Sequence, residues 1–211
     1  MKKYLLLVVS IVIFLSCPKD TPKQKEKEEI TKELPTMLEK ILTKRGVTIA
    51  REFYNIGRVE GPYETGLRIK ALIIEILGEK YYGAHLIKEG LDYRKDQVGY
   101  LDYDEITFLI EALNRIIDKA KVMSNQKCEY TEIYYVSRSG AVFGFCQEGL
   151  KQKAFVQVNA LEMSWYSLTI PQFAKFRDFV IKTQKNLDSL GAKGWWEQKQ
   201  KMEEKQKKVV S

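Results

Sequence analysis

The sequence predicts an α+β fold: a duplicated β4-α unit, in which antiparallel sheets are each followed by an amphipathic helix. Three observations predict it. Segments rich in Tyr, Val, Ile and Phe, bounded by Gly or Asn, fall into two groups of four. Each group ends in a stripe of apolar residues at helical spacing, Ile106, Leu109, Ile110, Leu113, Ile116 and Ile117 in the first, Phe173, Phe176, Phe179 and Val180 in the second. The two helix starts also match role for role. Asp102 and Thr169 are N-cap residues whose side-chain oxygens accept first-turn amides. Glu105 and Gln172 follow three residues later and return a bond to the cap, while Leu101 with Ile106 and Leu168 with Phe173 form hydrophobic staples. Pro171 is tolerated because a first-turn N–H has no helical partner to lose.

In chain order, Lys2 and Lys3 precede an apolar run, Leu5 to Leu15, broken only by Ser10. A positive start, an apolar core of this length and a small residue before a cleavage point read as a secretory signal over residues 1–16. The run is shorter than the roughly 20 residues that span a bilayer. Phe14-Leu15-Ser16-Cys17 resembles the lipobox of bacterial lipoproteins, with Ser16 at the small-residue position and Phe14 where Leu is usual. The resemblance implies that the Cys17 thiol receives a diacylglyceryl group, whose acyl chains include palmitate, and that a peptidase then cuts before Cys17. Acyl chains contribute about 0.8 kcal/mol per buried methylene, so the bilayer becomes a stable partner. An ordinary signal peptide with an incidental cysteine is the other reading. Pro18, where enteric lipoproteins retained at the inner membrane carry Asp, implies by the same resemblance an outer-membrane location in a cell that has one.

Residues 17–45 are expected to be a charged tether turning helical from Glu28, with Ile30, Leu34, Leu38, Ile41 and Leu42 at helix spacing and Pro35 interrupting. The first unit, 46–123, has strands near 47–58, 67–77, 81–88 and 98–101; the second of these, Leu67–Leu77, is equally readable as a helix. The second unit, 124–190, has strands near 129–137, 141–147, 152–159 and 164–168, with tight turns at Arg138-Ser139-Gly140 and Glu148-Gly149. The tail, 191–211, is either a solvated helix whose Trp195 and Trp196 pack back on the domain or a basic-aromatic foot on a membrane.

The net charge of +7 falls to +5 once Lys2 and Lys3 are removed, a mild and dispersed basicity that suits anionic lipid or cell-wall polymer. With Cys17 acylated, Cys128 and Cys146 remain on the two arms of one hairpin. Export permits a disulfide between them; two buried free thiols are the other reading.

The stretch Trp165-Tyr166-Ser167-Leu168-Thr169-Ile170-Pro171-Gln172-Phe173 resembles the strand-to-helix corner of the positive-cofactor-four coactivators and the Pur-repeat and Whirly proteins. The resemblance covers residues 46–190 as architecture and implies paired β4-α units and binding of single-stranded nucleic acid. That activity needs a basic, aromatic sheet. Tyr134, Tyr135, Lys151, Lys153 and Phe155 offer one, interrupted by Glu129, Glu132 and Glu148, and export makes nucleic acid an unlikely natural partner.

No enzyme signature emerges. His85 is the single histidine and reads as a satisfied strand residue or, less simply, as a general base. Asp102, Asp104 and Glu105 cluster, but helix capping and the helix dipole account for them. Neither phosphate-loop glycine pattern occurs, and no metal or cofactor is expected. The tyrosine-rich strands suggest a partner surface at Tyr134, Tyr135, Trp165 and Tyr166, suited to an envelope protein or a glycan. The expected function is a membrane-anchored, non-catalytic binding or assembly module of the cell envelope. The alternatives are a nucleic-acid-binding module and an envelope enzyme with an unrecognised carboxylate site.

Overall fold

A computed structural model describes residues 36–61, 65–90, 95–160 and 165–210. The expected signal segment, Cys17 and most of the expected tether lie outside these residues. The first unit contains α1 (Met37–Leu42), β1 (Ile49–Glu60), β2 (Gly66–Ile76), β3 (Glu79–Lys88), β4 (Gln97–Asp102) and α2 (Tyr103–Met123). The second contains β5 (Cys128–Val136), β6 (Val142–Gly149), β7 (Lys151–Gln157), β8 (Tyr166–Leu168) and α3 (Ile170–Ser189), and α4 (Ala192–Val210) follows. Each unit is a four-stranded antiparallel meander whose strands lie side by side in chain order. The duplicated β4-α architecture is thus present. α3 starts with the expected capping box; at α2 Glu105 accepts the Asp102 amide at 3.2 Å as expected, but the Asp102 side chain makes no hydrogen bond to its own first turn.

β2 is a strand rather than a helix because it is buried on both faces. Leu67, Ile69, Ala71 and Ile73 face the helices, while Leu72, Ile74 and Ile76 face the other way, under Leu38 and Ile41 of α1. Burial on both sides removes the polar alternation that marks a half-exposed strand. The strand ends one residue earlier than the apolar pattern. Leu77 and Gly78 have φ values of 52° and 81° and form the two-residue turn into β3, the positive-φ pair that a tight hairpin with the proper twist requires.

The two units share one core. α2 and α3 pack on each other, and each touches both sheets. Phe176 of α3 stacks on Phe143 of β6 at 5.9 Å, while Phe179 of the same helix fills the space beside Gly57 of β1, where a Cβ would lie 2.4 Å from its ring. Lys182 and Gln172 of α3 donate to the carbonyls of Ile56 and Glu60. The sheets also meet directly: a Cβ on Gly99 of β4 would stand 1.7 Å from the carbonyl oxygen of Val158. α4 returns to the body, with Trp195 against Tyr82 at 5.4 Å and Tyr81 at 6.0 Å, as in the first reading of the tail. Among the described residues no helix is long and apolar enough to cross a membrane.

Candidate functional site

The outer face of the first sheet gathers cations and rings that lie far apart in sequence. The register aligns Asn55, Lys70, His85 and Tyr100 across all four strands. One row over, Phe53 stands beside Leu72, and α1 covers the remainder of that end through Leu38 and Ile41. What α1 leaves open is a patch built from Arg51, Phe53, Lys70, His85 and Tyr100. Phe53 is 41% exposed. The Arg51 guanidinium lies 5.8 Å and the Lys70 ammonium 5.5 Å from its ring centre. Among the described residues neither cation is in an ion pair. Farther down the same face, Arg58 pairs with Glu60 and Glu89 and Arg68 with Glu89, so two carboxylates match the two cations there.

His85 lies beneath this patch. Its ring stacks on Tyr100 at 5.1 Å and meets Phe53 at 5.3 Å. Both ring nitrogens are buried without a hydrogen-bond partner among the described residues, which corrects the expectation of a satisfied histidine. Burial, with Lys70 and Arg51 nearby, pushes its pKa down to about 4, so at neutral pH it is an uncharged member of an aromatic row. A base needs access to its proton donor; this ring is only 9% exposed.

The partner surface expected from sequence divides between two faces. Tyr134 and Trp165 are exposed on the outer face of the second sheet, where Trp165 stacks on Phe155 at 4.2 Å. Tyr135 and Tyr166 point inward and join the core, Tyr166 being 5% exposed. Alternation along a strand sends neighbours to opposite faces, so Tyr134-Tyr135 and Trp165-Tyr166 each contribute one outward ring. Lys153 is opposite Cys146, and Cys146 is opposite Glu132, which keeps that face mixed in charge. Cys128 pairs in register with Gly149, and both cysteines are half-buried free thiols.

The acidic cluster is a structural hub. Asp102, 2% exposed, accepts the amides of Met37 at 2.7 Å and Leu38 at 3.0 Å, so one carboxylate at the start of α2 also holds the start of α1. Arg138 from the β5–β6 turn reaches Asp102, Asp104 and Glu105, and its amide donates to Glu105 at 2.7 Å. Burial raises the Asp102 and Glu105 pKa values, against the lowering effect of these amides and of Arg138. A cleft of about 440 Å³ beside the hub, lined partly by Lys40, Trp196 and Lys199, opens between α1 and α4. No family model matches the chain, and no curated protein or solved structure shows significant similarity to it.

The cationic patch escaped the sequence reading because its residues come from four strands. The legible signal is Arg51 and Phe53 at alternate positions of β1, which share a face; Lys70, His85 and Tyr100 join them only through register.

Proposed function

We propose that this protein is a lipid-anchored, non-catalytic binding module of the bacterial cell envelope that contacts an anionic partner through Arg51, Phe53 and Lys70. The supporting observation is the pairing of two cations without carboxylate partners among the described residues with an exposed ring between them. Anchoring rests on Cys17 directly after an apolar run of signal length. Nineteen positions separate Cys17 from Thr36, a reach of at most about 65 Å when fully extended. The tether joins α1, which packs on the same face of the sheet as the patch.

Labelling with a palmitate analogue tests the anchor. The wild-type chain is expected to take up label and Cys17→Ala to take up none; equal labelling of both, or of neither, contradicts the assignment.

A second reading, a single-stranded nucleic-acid binder, is favoured by the same cation-and-ring composition. It predicts binding to short single strands that weakens steeply with salt and depends on Phe53.

A further inference from the structure

Three of the four outer strands of this fold are protected against strand addition. β1 carries Arg51, Glu52 and Glu60 along its edge and a bulge between Asn55 and Gly57, both devices that discourage a new neighbour. β4 is backed by the second unit at Gly99 and Val158, with Asn159 donating to the Val98 carbonyl. β8 is three residues long. β5 keeps its bulge, between Cys128 and Thr131, and its Glu129 at one end, and leaves the rest of its edge open: from Thr131 to Val136 it runs in unbroken register with β6 and carries one charge, Glu132, among Ile133, Tyr134, Tyr135 and Val136.

The phase of its free backbone follows from the hairpin. Ser137 N–H donates to Ala141 C=O at 2.9 Å, so that pair is hydrogen-bonded and the pairs alternate from there. Glu132, Tyr134 and Val136 therefore turn their N–H and C=O groups away from β6. Beside this edge runs a groove of about 320 Å³ between β5 and α2, lined by Phe108, Ala112, Ile116, Ile133 and Tyr135. Phe108 is 62% exposed there, an unusual position for a large ring. Glu111 and Arg115 stand on the groove's rim one helical turn apart and form an exposed ion pair at 3.7 Å.

We propose that β5 pairs antiparallel with β5 of a second copy about a two-fold axis at Ile133, joining two second-unit sheets into one eight-stranded sheet. Charge selects both occupant and register. An axis at Glu132 would oppose two carboxylates, and one at Tyr134 would set Glu132 against Val136. An axis at Ile133 sets Ile133 against itself, Glu132 against Tyr134, and Thr131 against Tyr135. The same axis brings the α2 helices together antiparallel, so that the Glu111–Arg115 pair of one copy meets that of the other in the opposite sense, with unlike charges opposed, and each Phe108 is covered. This self-complementarity is what an isologous interface requires. The pairing is independent of the anion-binding role proposed above.

In this register the Ile133 pair is non-hydrogen-bonded, with Cα atoms about 4.5 Å apart, within disulfide range. The test uses the full-length chain in detergent micelles. Sedimentation is expected to show a dimer for the wild type and a monomer for Ile133→Lys, with circular dichroism unchanged. On mild oxidation Ile133→Cys should cross-link as a covalent dimer well above the wild-type blank, which carries the native thiols, and Tyr134→Cys should not. A monomeric wild type, a dimer that survives Ile133→Lys, or equal cross-linking at 133 and 134 would overturn the pairing.

Discussion

The Asp102 carboxylate accepts the amides of Met37 and Leu38 across 65 and 64 residues of sequence, binding the start of α1 to the start of α2. α1 has only six residues, too few to be stable alone. It is helical because Thr36 and Glu39 form a capping box, Asp102 receives two of its free amides, and Leu38 and Ile41 bury against β2. This contact fixes α1 on the sheet, and it leaves the cationic patch open beside it.

Asp102→Ala should therefore destabilise the protein by about 3 kcal/mol or more, because it leaves buried amides and part of Arg138 without their acceptor. Asp102→Asn keeps an acceptor and should cost less. Urea denaturation of the two variants checks the order; equal losses would show that the carboxylate charge, rather than amide capture, is what matters.

His85 sets a pH dependence with a definite sign. The unfolded chain binds a proton on it near pH 6.5 and the folded chain near pH 4. Between those values the unfolded state holds more protons, so stability is full above pH 6.5 and declines as pH falls toward 4, by up to about 3 kcal/mol. Asp102 and Glu105, raised by burial, act in the opposite direction, which makes a comparison with His85→Phe necessary. The variant keeps the aromatic row and removes two unpartnered nitrogens. It should be at least as stable as wild type at pH 7 and should gain on it steadily down to pH 4.5. A constant difference over that range would mean that His85 charges as readily in the fold as outside it.

Leu77 is the one described non-glycine residue with positive φ, and it is 82% exposed. The left-handed conformation costs such a side chain about 1 kcal/mol, whereas Asn-Gly is the preferred sequence for this turn. Leu77→Asn should raise stability by roughly that amount, seen as a higher denaturation midpoint with an unchanged slope.

These cases show what the sequence could and could not carry. Capping residues and apolar spacing act within a few residues of one another, so Asp102 with Glu105 and Thr169 with Gln172 locate the starts of α2 and α3. The Leu77-Gly78 turn was hidden because the apolar pattern of β2 continues through Leu77. The split of Tyr134 from Tyr135 was legible from alternation alone. The convergence of Arg51, Phe53, Lys70, His85 and Tyr100 was not, because it depends on three inter-strand registers and on where α1 comes to rest.

The most direct measurement is a titration of the full-length chain in neutral micelles with micelles doped with phosphatidylglycerol, following the ring signals of its single histidine. His85 touches Phe53 and lies beneath both cations, so an anion at the patch must move its resonances. A saturable shift is expected for the wild type and, for Arg51→Ala with Lys70→Ala, a loss of about 2 kcal/mol, roughly thirtyfold in affinity. No shift in the wild type, or the same shift in the double variant, would contradict an anion-binding role for this face.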